Sequence, residues 1–227
     1  MNTLQRWIIP TQMESNAPRI SARLFNLVMA GLIFLGFCVI GLGVGIVTNA
    51  GFMAWFDANG LLGLILLIGG PIVGVILMSG AVKRQSVVHS LIGYAIFVTT
   101  FGLFCAAAIA QYDLPTINTA FIATAAITVV FGILGLTFPK VFQRIIGALV
   151  VALVALCLAQ IVMALMGVDQ SWLDIAIIVV FCGFIGYDMY QASVVEPTLP
   201  NAVFMASNLF LDIMNIFIRA LDIADRR

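Results

Sequence analysis

The sequence predicts an all-α membrane protein with seven transmembrane helices. Of its 227 residues, 63% are hydrophobic and only 9% are charged, whereas a soluble domain is about half apolar and about a quarter charged. The apolar residues occur in runs of roughly 20, the length that crosses about 30 Å of hydrocarbon as an α-helix. Lipid is therefore the expected solvent for most of the chain.

Seven apolar runs are separated by short polar or turn-forming segments, as expected for a polytopic membrane protein. We place these runs at residues 24–48, 61–79, 88–110, 117–138, 145–167, 172–192 and 202–221. They form one predicted transmembrane domain at 24–221, with a cytoplasmic N-terminal segment at 1–23 and a short tail at 222–227. Because the connections are short, we expect any function to reside within the helix bundle.

Charge and cysteine usage exclude several classes of function. The net charge is zero, so no overall field attracts nucleic acid. No DxDxDG loop for tight calcium binding occurs, and we expect no cofactor and no metal site. The four cysteines each lie inside an apolar run and are interpreted as small packing residues; they are Cys38, Cys105, Cys157 and Cys182.

Basic residues in the short connections predict the orientation, because Lys and Arg concentrate on the cytoplasmic side. The segment before span one and the connections after spans two and four carry Arg6, Arg19, Arg23, Lys83, Arg84, Lys140 and Arg144. The connections after spans one, three and five carry no Lys or Arg. We therefore expect a cytoplasmic N-terminus. Residues 1–23 include Pro10, Glu14 and Pro18, so we expect the first run to remain as a span and not to be removed as a signal peptide.

The end of the chain conflicts with this orientation, since a full seventh span puts Arg219, Arg226 and Arg227 outside. Either the seventh helix crosses against the charge preference, or it is partly re-entrant. Small residues predict close helix packing at Gly41 and Gly45 and again at Gly70 and Gly74, beside a potential kink at Pro71.

Two acidic residues lie within the last two spans, where a charged carboxylate costs about 2.5 to 3.5 kcal/mol and usually faces a bundle interior, a cavity or a partner. They are Asp188, in FIGYDMYQA, and Asp212, in SNLFLDIMNIFIRAL. Helical spacing puts Asp212 on one face with Asn208, Asn215 and Arg219, and we expect this polar face to point inward. Ion passage, proton sensing and acid-base hydrolysis are open interpretations, as is a structural role in which Asn208 and Asn215 satisfy Asp212. Asp113, Asp169 and Asp174 are expected at external loops or span ends, with no special role.

The segment GYDMYQA, followed by LFLDIMNIFIRALDI, resembles the last two helices of the Bax inhibitor-1 family, and GYA at 93–95 agrees with the resemblance. It implies six helices around a central seventh, with Asp188 and Asp212 as a hydrogen-bonded, pH-sensitive pair linked to a calcium-permeable leak. Family members are also linked to suppression of cell death. The resemblance further implies a basic latch on the second helix, for which Lys83 and Arg84 are the candidates.

Elementary electrostatics supplies a reason for pH sensing. Two carboxylates within about 4 Å repel by roughly 4 kcal/mol at an effective dielectric of about 20, so the pair is expected to share one proton near neutral pH. The predicted span boundaries put Asp188 ~6 Å and Asp212 ~16 Å from the cytoplasmic edge. Contact thus requires a longer sixth helix or a shifted seventh.

Enzyme classes fit less well, and we expect no catalytic activity. An intramembrane aspartyl protease needs GxGD on the second helix, but Leu209, Phe210 and Leu211 precede Asp212. A rhomboid-like protease needs a deep histidine, whereas the only one, His89, lies at a span edge. A retinal protein needs a lysine in its last helix. The expected partners are the lipid bilayer and calcium or another cation; the alternative is a non-catalytic modulator that binds a membrane protease or another membrane protein. The expected location is a bacterial inner membrane.

The orientation can be tested by labelling single cysteines in a cysteine-free background. A cysteine in the 49–60 connection should react with an impermeant reagent from the external side, and one beside Lys83 should react only from the cytoplasmic side. Preferential cytoplasmic labelling of the 49–60 connection would reverse the predicted orientation.

Overall fold

The computed structural model describes residues 18–167 and 171–226, and this part of the chain is all-helical. It contains eight helices, which are α1 (Ala22–Val47), α2 (Ala50–Ala58), α3 (Gly60–Arg84), α4 (Val87–Ile109), α5 (Leu114–Thr137), α6 (Pro139–Met166), α7 (Ser171–Val194) and α8 (Leu199–Asp225). Among the described residues, all of these except α2 are long and apolar enough to cross a membrane. The predicted fold class and the seven spans are thus confirmed. Most of the predicted N-terminal segment and Asp169 lie outside the described residues.

Helix α2 was not predicted from the sequence. It occupies the connection between the first two spans, begins after Asn49, whose side chain accepts a hydrogen bond from Gly51 N, and brings Phe52 near Trp55 and Phe56. Aromatic side chains of this kind favour the membrane-water interface. A helix of this kind is too short, and too polar at its ends, to be recognised in the sequence as an apolar run.

Six of the seven long helices form two groups, and each group contacts α8. Helices α3 and α1 both contact α4, while α5, α6 and α7 contact one another. Helix α8 contacts α1, α3 and α4 of the first group and α5 and α7 of the second. Within the described residues, no comparably extensive contact joins the two groups directly. Helix α8 is therefore the main connection between them.

Burial along the helices agrees with this packing. In the most apolar stretch of each helix, 72% of the α8 residues are buried, against none in α6. A buried helix in lipid can carry polar residues that a lipid-facing helix cannot, and α8 carries Asn208, Asp212 and Asn215. The stricter expectation, that six helices surround a central seventh, stays a prediction.

Glycines permit the closest helix approaches. A Cβ placed on Gly74 would lie 2.7 Å from the Gly93 carbonyl oxygen, and one on Gly135 would overlap the Gly186 carbonyl oxygen. The predicted packing role of Gly70 and Gly74 therefore agrees with the structure, where they lie against α4.

The first small-residue pair behaves differently. A Cβ on Gly41 or Gly45 would meet no atom within 4 Å, so the expected packing at this pair is wrong. The spacing of small residues alone does not identify which helix face packs against a neighbouring helix.

A local contact joins two segments at one end of the bundle, which is the cytoplasmic end in the predicted orientation. The chain before α1 lies against the α7–α8 connection, where Ile20 N donates to Pro197 O at 2.9 Å and Arg19 pairs with Glu196 at 2.6 Å. Both elements are thereby held beside the start of α8.

The close α5–α7 approach can be tested with Gly135→Ala. Because the added Cβ overlaps a backbone oxygen and no flexible side chain, the helices must separate, and we expect a loss of about 1 to 3 kcal/mol of stability. Thermal unfolding of the purified protein in detergent measures this loss. Gly147→Ala is the matched control, since its Cβ meets no atom within 4 Å; equal stability of the two variants would contradict the packing.

Candidate functional site

Both membrane-embedded carboxyl groups are buried, and they lie on neighbouring helices. Asp188 on α7 and Asp212 on α8 are 8% and 5% exposed. The two helices pack against each other. The hydrogen-bonded pair itself stays a prediction.

The register of the two helices brings Asp188 and Asp212 level despite their different predicted depths, as the ion pair between Asp174 and Arg226 at 3.2 Å indicates. Asp188 lies six residues before the end of α7 at Val194, whereas Asp212 lies thirteen residues after the start of α8 at Leu199. The difference, 13 − 6 = 7 residues, means that α8 begins about 10 Å beyond the end of α7. The 195–198 connection spans this offset, and Asn201 Nδ2 donates to Glu196 O at 2.8 Å beside it.

Neither carboxyl group has a cationic partner in the described part of the chain. Asp188 and Asp212 take part in no ion pair with a described Lys, Arg or His. Asp212 Oδ2 is buried without a hydrogen-bond partner among the described residues. Ionised carboxylates only accept hydrogen bonds, so a hydrogen bond between the two groups would require a proton on one of them.

The neighbouring asparagines do not satisfy Asp212. Asn215 Nδ2 donates to Leu211 O at 2.9 Å, one turn back on its own helix. Asn208, Asn215 and Arg219 are half-buried while Asp212 is buried. The expectation that the whole polar face points inward is therefore only partly right, because its less buried side carries the other three residues.

The candidate latch residues lie away from the pair in this structure. Lys83 and Arg84 form the last turn of α3, are exposed, and make no ion pair within the described part of the chain. The latch therefore stays a prediction, because the described structure shows no ion pair of either residue with Asp188 or Asp212.

Comparison with known families decides the identity of the bundle. A family model described as inhibitor of apoptosis-promoting Bax1 matches residues 19–226. The chain belongs to the Bax inhibitor-1 family. A comparison with curated individual proteins gave no significant match.

Two tyrosines of the family motifs are buried and hydrogen-bonded. Tyr187, which precedes Asp188, accepts a hydrogen bond from Gln191 at 2.9 Å within α7. Tyr94, in the GYA segment, donates to Leu32 O, which ties α4 to α1. Tyr94 therefore positions two helices, whereas the hydrogen bond of Tyr187 stays within one.

A third buried carboxylate was missed. Asp174, in the first turn of α7, is 2% exposed and pairs with Arg219 at 3.3 Å and with Arg226 at 3.2 Å. Arg219 also donates to Gln160 Oε1 on α6 at 3.2 Å. The expectation that Asp174 needs no special role is wrong, because it joins the end of α8 to α7 while Arg219 extends the contact to α6.

The same end of α8 is also joined to the α4–α5 connection. Tyr112 donates a hydrogen bond to Asp222. Burial, together with this hydrogen bond and the charge of Asp222, raises the pKa of Tyr112 to about 12. The phenol therefore keeps its proton, and remains a donor, at every pH at which the bundle is expected to work.

These contacts bear on the conflict at the end of the chain. Helix α8 is one continuous helix of 27 residues, and Arg219 and Arg226 near its end both pair with Asp174. The side of the membrane on which this end lies stays a prediction.

Replacing Asp174 with Asn tests this contact, since the amide removes the charge that both arginines share. We expect a loss of about 1 to 3 kcal/mol, below that of a fully buried pair because Arg219 and Arg226 are 23% and 43% exposed. Thermal unfolding in detergent measures it. Asp225→Asn, at an exposed carboxylate on the same helix end, is the control; equal losses would show that the buried contact adds nothing.

Proposed function

We propose that this Bax inhibitor-1 family member is a pH-sensitive, calcium-permeable leak channel gated by Asp188 and Asp212. The observation that supports the proposal is the burial, on the packed helices α7 and α8, of two carboxyl groups that have no cationic partner among the described residues. A contact between them would depend on a proton, and so its strength would depend on pH.

The gating step follows from the charge balance of the pair. With one proton shared, the carboxyl groups attract through a hydrogen bond; without it, two carboxylates at about 4 Å repel by roughly 4 kcal/mol at an effective dielectric of about 20. That energy favours separation of α7 from α8. Because α8 is the main connection between the two helix groups, its displacement would loosen the whole bundle.

Cation selectivity would come from the same residues. Two ionised carboxylates attract a divalent cation and exclude anions, and permeation requires only weak sites that release the ion readily. A dedicated, tight calcium site is unnecessary for this function. The proposed location is a bacterial inner membrane, with the N-terminus in the cytoplasm and the pair in the cytoplasmic half of the bundle.

The proposal predicts the pH response of two variants. Calcium flux into liposomes that contain only the purified protein should rise as the shared proton is lost with increasing pH. Asp188→Asn and Asp212→Asn preserve size but remove both the charge and the titration, so each should flatten the pH response. The slope of flux against pH is the decisive quantity, since the basal flux of an asparagine variant depends on whether the amide restores the contact.

Asp57→Asn, at an exposed carboxylate on α2, is the matched control and should keep the wild-type profile. An unchanged pH profile in both the Asp188 and the Asp212 variant would show that the two residues have only a structural role. Absence of flux at every pH, with folded protein in the liposomes, would instead favour a non-catalytic modulator that binds another membrane protein.

A further inference from the structure

A lateral groove reaches the buried helix α8 from the lipid-facing surface. It lies between α1 and α5, and its volume is about 230 Å³. Its floor is formed by Ile213 and Phe217 of α8 and by Thr124, and its sides include Phe37, Phe121 and Ala125. The volume exceeds the ~150 Å³ of an apolar cavity that binds benzene, so the groove accommodates a stretch of hydrocarbon.

The groove exists because α1 and α5 belong to different helix groups. Within the described residues these two helices make no extensive contact with each other, and the small side chain of Ala125 leaves the entrance open and exposed. Phe217 is only 6% exposed. A molecule that touches its ring must therefore enter between the helices.

The depth of the groove identifies what is available to fill it. Thr124 lies ten residues from the start of α5 and thirteen from its end, which is about 15 Å and about 20 Å along the helix. The groove is thus in the middle of the hydrocarbon layer, where headgroups and ester carbonyls do not reach. Lipid chains are the abundant molecules at that depth.

We propose that this groove binds an acyl chain of a membrane lipid, which packs against Ile213 and Phe217 of α8. Filling the groove restores the dispersion contacts that an empty space beside these side chains would lose. The bound chain separates α1 from α5 and lies next to Ile213, the residue after Asp212. This inference depends on the membrane position of the bundle and not on the proposed channel function.

Thr124 distinguishes an acyl chain from a ligand with a polar group. Thr128 and three other helical threonines, Thr100, Thr119 and Thr137, donate to the carbonyl four residues back, whereas the buried Thr124 hydroxyl has no partner among the described residues. A ligand carrying a carbonyl would accept from Thr124. An acyl chain makes no such bond, so its binding should not depend on this hydroxyl.

The test uses tryptophan reporters and brominated lipid, whose bromines quench fluorescence at short range. Trp7, Trp55 and Trp172 are replaced by Phe, and Phe217→Trp supplies a reporter at the groove floor. The protein is placed in vesicles of dioleoyl phosphatidylcholine or of the same lipid brominated at mid-chain. Quenching of the Phe217→Trp reporter should approach that of Val130→Trp, a lipid-exposed position on α5, and be several-fold stronger than that of Phe181→Trp.

Phe181 is the matched control because it is 4% exposed, lies at a similar depth on α7 and does not line the groove. Adding Ala125→Leu, which blocks the entrance, should lower quenching of the Phe217→Trp reporter and leave Val130→Trp unchanged. Phe37→Trp, on the opposite side of the groove, gives the same readout if Phe217→Trp does not fold.

Two results would overturn the proposal. Quenching of the groove reporter no stronger than that of Phe181→Trp would show that no acyl chain enters. A marked loss of quenching in Thr124→Val, which removes the hydroxyl at nearly constant volume, would show that the occupant carries a polar group that bonds Thr124.

Discussion

The register of α7 against α8 is the constraint on which much of the bundle depends. A lone carboxylate at this depth costs about 2.5 to 3.5 kcal/mol, so Asp188 and Asp212 each gain from a partner that neutralises it. A register that brings them level would supply such a partner for both. The offset of about 10 Å at the start of α8 agrees with this requirement.

The same register also determines which residues meet at the opposite end of α7 and α8. Asp174 precedes Asp188 by 188 − 174 = 14 residues, and Arg226 follows Asp212 by 226 − 212 = 14 residues. In antiparallel helices these two positions are level, and the structure pairs them at 3.2 Å. One register therefore brings the two buried carboxyl groups level inside the bundle and forms an ion pair at its end, and a slip of one turn would disturb both.

The seven spans could be predicted because apolar length is a property of each segment by itself. The ends of the spans could not be predicted in the same way. Helix α3 continues to Lys83 and Arg84, and α6 begins before Lys140. Long basic side chains can reach the interface from residues that are still helical. The role of Asp174 was missed for a different reason: its burial depends on the register of α8 against α7, which no local sequence pattern specifies. Likewise, the sequence does not distinguish Gly74, which has a neighbouring helix, from Gly41, which has none.

Three properties of helix α8 make it the helix that we expect to move when the proposed channel opens. It joins the two helix groups, it carries one carboxyl group of the pair, and the groove between α1 and α5 exposes its Ile213 and Phe217 side to lipid. Its C-terminal end is held by Asp174 and Tyr112, whereas the proposed contact of Asp212 with Asp188 would depend on a single proton. In the proposed channel, loss of that proton would therefore displace the middle of α8 more easily than its end. The grooved side, where hydrocarbon and not another helix opposes α8, offers the least resistance to that displacement.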